Sequence, residues 1–203
     1  MIAENSDMDA LVAQADIHRF YIRVIQPALA EFVPTDDIVG GETSELEEFL
    51  ERARVNTHNA LCYEMRRTFA LIIGALFESQ LRSWLSRQMP AETKKGEVER
   101  TRGWTNLVKL VHEVDGSIGT KPLVMDHLTA LWSVANAVRH GNGRAAKELL
   151  KTAPEFWNQA RMKSDLGWQS DLVGNMRIVD AQLELYAKAV MDFWHSAGAS
   201  SVI

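Results

Sequence analysis

Cysteine is nearly absent from this 203-residue chain. Cys62 stands alone, which excludes an intramolecular disulfide framework and a cysteine-built zinc site, and makes a reducing cytoplasm the natural setting. Long apolar runs are missing too. The longest, Phe69 to Phe77, ends at Glu78 and falls well short of the roughly 20 residues of a membrane span, so no membrane partner is expected. The opening Met1-Ile2-Ala3-Glu4-Asn5-Ser6-Asp7 is acidic, where an export signal needs a basic stretch and then an apolar core. There is no Walker A loop, no HExxH and no EF-hand pattern. Gly141-Asn142-Gly143-Arg144-Ala145-Ala146 has the letters of a dinucleotide loop, but a helix and not a strand precedes it. His58 and Cys62 stand four apart with no second pair of ligands, so packing explains them better than a metal. No cofactor and no metal is expected.

What is present reads as a globular helical protein. Hydrophobic residues make up 46% and charged residues 24%, and a chain of this length buries roughly 70% of its unfolded surface. The net charge of −5 is unevenly spread. Residues 1–51 carry twelve acids and two bases, a net of −10, and residues 52–203 carry fifteen acids and twenty bases, a net of +5. Such a split suits either a basic body that meets an anionic partner or an acidic helical face that packs on the basic body. The second is the simpler reading.

The apolar spacing is helical almost throughout. Ile17, Phe20, Tyr21, Val24, Ala28 and Phe32 predict a first helix over about 7–32, ended by Pro34 and the Gly40-Gly41 pair. Ser44 and Glu47 have capping-box spacing and open a long helical stretch to about Gln88, with a break expected near Asn56-Thr57. Its apolar positions are Leu61, Met65, Phe69, Ile72 and Leu76, with Leu71, Ala75, Leu81 and Leu85 on the adjoining stripe. Pro90 to Gly96 reads as a turn with exposed lysines. Trp104, Leu107, Val108 and Val111 mark a short helix. Thr120 and Pro122 fit the cap and first turn of the next, whose seam is Val124, Leu128, Leu131, Ala135 and Val138. A short basic helix, Arg144 to Lys151, follows the Gly141-Asn142-Gly143 turn. A last helix over about 176–197 packs through Val179, Leu183, Tyr186, Val190 and Phe193. The expectation is one all-α domain over 1–203, an up-and-down bundle with an acidic N-terminal helix and loop (1–42) and a bundle core (44–197). The tryptophans fall at helical spacing, as core or interface residues do.

The segment Leu131 to Arg144 carries the chemistry. Trp132, Asn136 and His140 fall on one helix face at i, i+4 and i+8, and His140 ends the helix before a glycine-rich turn. A histidine so placed suits proton transfer, and equally suits a helix C-terminus, where a cation meets exposed carbonyls. Glu78 interrupts an apolar stripe. It is expected to contact Asn136, His140 or an arginine across the bundle, or else to pair with Arg82 one turn on. Arg139, Arg144, Lys147 and Lys151, against the single acid Glu148, make a basic turn and helix that suit phosphate, and equally suit a solvated helix face.

This segment, together with the helix Arg66 to Leu81 and its central acid, resembles the HEPN superfamily of higher-eukaryote and prokaryote nucleotide-binding domains. Those are all-α bundles marked by an arginine, usually followed by asparagine, with a histidine four to six residues beyond the arginine. Here Asn136 and His140 match the pattern, and the arginine positions hold Ser133, Val134 and Ala135. The resemblance implies catalytic roles for His140, Asn136 and Glu78, phosphate contacts at Arg139, Arg144 and Lys147, and a setting in bacterial defence or a toxin–antitoxin pair. It also implies a homodimer joined near His140, with Trp132, Phe193 and Trp194 at its interface. The missing arginine implies a degenerate member that binds RNA, a nucleotide or a protein partner. An active metal-independent endoribonuclease using His140 and a purely structural interaction protein are the alternatives.

Overall fold

The computed structural model describes residues 2–35, 46–89, 92–116, 118, 121–157 and 168–199. Its helices are α1 (Ile2–Phe20), α2 (Gln26–Glu31), α3 (Leu46–Gln88), α4 (Glu92–Arg100), α5 (Trp104–Val114), α6 (Pro122–His140), α7 (Arg144–Thr152) and α8 (Asp180–Ala199). Among the described residues there is no strand, only a lone bridge between Trp157 and Met176. No described helix is long and apolar enough to cross a membrane. Gly40, Gly41, Ser44 and Thr120, which the sequence assigns to loops and caps, lie outside the described residues.

α1 runs into α2 through a π-helical turn at Tyr21–Ile25. Its buried residues, Ala13, Ile17, Tyr21, Ile25 and Leu29, recur every four positions. The expected stripe of Val24 and Phe32 is instead exposed. A π turn holds more residues than an α turn, so it rotates the register and brings Ile25 inward where α spacing would bring Val24. This acidic helix is part of the bundle, and its apolar residues join the same core as those of α3, α6 and α8.

α3 has 43 residues, about 64 Å at the helical rise. It is unbroken at Asn56-Thr57. Two residues on, the Asn59 side chain accepts from the Thr35 amide (2.9 Å) and donates to the Thr35 carbonyl (2.8 Å), fixing the helix to the end of the α2 segment. No residue between Leu46 and His58 is buried. Below them the buried face is Phe69, Ile73, Phe77, Leu81 and Leu85, while Leu61 is 59% exposed and Ala75 faces outward. Gly74 lets α6 approach closely, since a Cβ there would stand 2.7 Å from that of Ala135.

Contacts along the long helices give their directions. Phe20 meets Phe69, and the Gln80 amide reaches the Ala13 carbonyl at 3.5 Å, so α1 runs against α3. Arg66 pairs with Asp180, Phe77 with Phe193, and Trp84 with Trp194, so α8 runs along α3. Alternate members of an up-and-down bundle relate in this way. Phe193 and Trp194 are 2% and 1% exposed and belong to the core, so they form no surface for a second copy.

The expected turn over Pro90–Gly96 is helical from Glu92, as α4. Val98, fully buried, anchors it on α3, and Glu-Thr-Lys-Lys is a sequence a helix tolerates once one residue is fixed. The last helix begins at Asp180, with Val179 exposed in front of it. The Gln182 side chain accepts from the Val179 amide at 2.9 Å, the returning half of a capping box.

Two adjacent arginines on α3 fasten the irregular segment before α8. Arg66 and Arg67 are 2% and 3% exposed. Arg66 donates to Asp180 (2.7 Å) and to the carbonyls of Phe32 (3.1 Å) and Cys62 (3.0 Å). Arg67 donates to Glu64 and to the carbonyls of Gly174 (2.9 Å) and Met176 (2.8 Å). The planar guanidinium suits them to satisfying several fixed carbonyls at once.

Candidate functional site at the α6–α7 cleft

α6 and α7 diverge from a turn whose backbone demands its residues. Gly141 has φ +64, a conformation that disfavours side chains. Asn142 ties the turn down: its amide donates to the Ser170 carbonyl (2.9 Å), and its oxygen accepts from the Val173 amide (2.8 Å). Asp171 in turn accepts from the Gly174 amide at 2.9 Å. Gly143 caps α7 without a side chain, and no acid lies in the first turn of α7.

Between the two helices lies a cleft of about 640 Å³. α6 lines it with Trp132, Asn136 and His140, and α7 with Arg144, Glu148 and Thr152. The i, i+4, i+8 face anticipated in the sequence is therefore the wall of one cavity. Trp132 is half-buried and held rigidly. It stacks on Trp104 (5.5 Å between centroids, 28° between planes), and Trp104 donates to the Thr129 hydroxyl at 2.8 Å. Asn136, His140 and Arg144 make no side-chain hydrogen bond or ion pair with any described residue. A permanently charged guanidinium, an imidazole and an amide thus share one cavity with the indole of Trp132.

The other expected residues lie elsewhere. Glu78, 19% exposed, accepts from Arg82 at 3.1 and 2.9 Å and pairs with Arg139 at 3.3 Å. It meets both the neighbour one turn along and an arginine across the bundle. It makes no hydrogen bond with Asn136 or His140 and does not line the cleft. Arg82 is fixed further by the Val98 carbonyl at 2.7 Å. Arg139 is consequently drawn toward α3 by Glu78. Lys147 faces a second cleft on the far flank of α7, about 580 Å³, which Arg144, Glu148, Lys151 and Leu172 also line. Arg144 and Glu148 border both cavities.

His58 lies 2.9 Å from the Val33 carbonyl and 3.5 Å from the Cys62 sulfur, a packing role with the ring nitrogen donating to the carbonyl. Among the described residues no group of three histidine, cysteine, aspartate or glutamate side chains could hold a metal ion.

Asn142, Trp104 and the paired Arg66 and Arg67 hold the surroundings of the site through contacts that helical spacing does not predict. Adjacent arginines between Cys62 and Phe69, in a helix otherwise apolar on that side, are a readable sign of buried carbonyl partners.

No family model matches this chain, and neither does any curated protein or solved structure.

Proposed function

We propose that the protein is a HEPN-like helical module that binds a nucleotide unit of RNA in the α6–α7 cleft without efficient catalysis. What carries the reading is the meeting of Asn136, His140 and Arg144, without side-chain partners among the described residues, in one cavity with Trp132. Arg144 supplies a planar, permanently charged fork for a phosphate, and His140 a second donor beside it. Trp132 offers ring surface for a base, and the Asn136 amide can donate to and accept from a base edge. Catalysis at a ribose hydroxyl requires a base, an acid and a cation for the developing charge. The arginine positions of the family pattern hold Ser133, Val134 and Ala135, and Arg139 is engaged by Glu78, so binding is better supported than turnover.

Titration of labelled single-stranded RNA in excess EDTA, with His140→Ala and Arg144→Ala alongside, tests this. Arg144→Ala should weaken binding roughly tenfold or more, the loss of a charged hydrogen-bonding group worth about 1.5–3 kcal/mol. The RNA should remain intact. Products with cyclic-phosphate ends that vanish in His140→Ala would replace this reading with an active ribonuclease. Absence of binding would end it.

A further inference from the structure

α7 is a ridge between two cavities, and its crest is basic. Arg144, Lys147 and Lys151 are all exposed. At the helical rise they follow one another by about 4.5 and 6 Å along the axis. Among the described residues Lys147 makes no side-chain hydrogen bond or ion pair, and Lys151 pairs with Glu148 at 3.3 Å. The helix opens at a glycine cap with no acid in its first turn, so its positive end is not neutralised locally. Cavities of about 640 and 580 Å³ flank this crest and share Arg144 and Glu148 as their divide.

Building on the nucleotide reading of the first cleft, we infer that the ligand is a single strand of at least three nucleotides that crosses α7, with backbone phosphates on Arg144, Lys147 and Lys151 and bases turned into the cavities on either side. A chain of phosphates suits a row of exposed cations, and unpaired bases suit cavities on both flanks. A duplex keeps its bases stacked inside and would leave both cavities unused. An acidic polypeptide fits less well. Glu148 stands between the cavities and repels phosphate and carboxylate alike, but it can accept from a base amino group or a ribose hydroxyl, donors that an acidic side chain lacks. Trp132 gives such a strand a stacking surface at the end of the first cleft.

The test compares uridine monophosphate, a six-residue oligouridylate and poly-glutamate as ligands of the full chain across a salt series. The hexamer should bind at least tenfold more tightly than the mononucleotide. Its affinity should fall with salt at a log–log slope of about −2, or roughly 0.7 per neutralised phosphate for three contacts. Lys147→Gln and Lys151→Gln should each remove about 0.7 from that slope. Equal binding of mononucleotide and hexamer, or a slope that neither substitution alters, would overturn the strand inference while the cleft reading stood. If neither nucleotide ligand binds, both fail. Poly-glutamate that competes as well as the hexamer would make the crest a site for acidic chains and overturn the inference.

Discussion

Gly74 shows how one absent methyl group sets the distance between two helices. Ala135 leaves no room for a Cβ at that position, and its own Cβ belongs to a packed helix that cannot swing aside. Alanine at position 74 would gain about 1 kcal/mol of helix propensity, against about 1–3 kcal/mol for overpacking a rigid contact. Gly74→Ala is expected to lower the denaturation midpoint, and Ala135→Gly in the same background to recover part of the loss. Stabilisation by the single substitution would show that α3 and α6 can separate freely. Tyr186 gives a second case at this scale. Burial, and then the nearby charge of Glu155, push its phenol far above the ordinary value of 10.0. The folded state thus keeps a proton that the unfolded chain releases above pH 10. Stability is unaffected by this group at lower pH and falls above 10, by about 1.4 kcal/mol per pH unit. Tyr186→Phe should flatten that alkaline decline by one proton's worth in denaturation curves taken from pH 9 to 11.5.

Among the elements, those with a strong apolar period were readable and those fixed by irregular contacts were not. The centre of the α6 seam, Leu128, Leu131 and Ala135, is buried where its spacing puts it, and Val134 and Ala137 beside it widen the buried face. Ile17 and Tyr21 of the first helix face inward as their spacing predicts, but beyond them Val24 and Phe32 do not. A π turn changes the period midway, and nothing in the residues Tyr21 to Ile25 announces it. α4 lies where Pro90 and two lysines predict a turn, and a single buried anchor, Val98, is its only apolar signal in the sequence. In the candidate site, the common wall formed by Trp132, Asn136 and His140 followed from helix spacing alone. The partition of Arg139, Arg144 and Lys147 did not. It depends on where Glu78 lies in space and on which flank of α7 each side chain leaves, and both are tertiary facts.

At the scale of the whole molecule, the acidic and basic portions meet less than their charges suggest. Asp9 of α1 pairs with Arg87 of α3, whereas Asp16, Glu48 and Glu51 pair with arginines three or four residues along their own helices. Exposed local pairs of this kind contribute little to stability, so cohesion rests on the shared core. That core grips α3 unevenly. Its later turns are clamped by α1, α6 and α8, while Leu46, Phe49 and Leu50 lie open to solvent at 72%, 57% and 56% exposure. Amide protons in the two halves should then exchange with deuterium by different routes. Those between Phe69 and Leu85 should wait for global unfolding and slow as the fold is stabilised. Those between Phe49 and Asn56 should escape by local fraying, at a rate that core substitutions such as Gly74→Ala leave untouched. A single rate along the helix would show that its first turns share the fate of the core. Two rates would mean that one continuous helix reports two separate stabilities, joined only by its backbone.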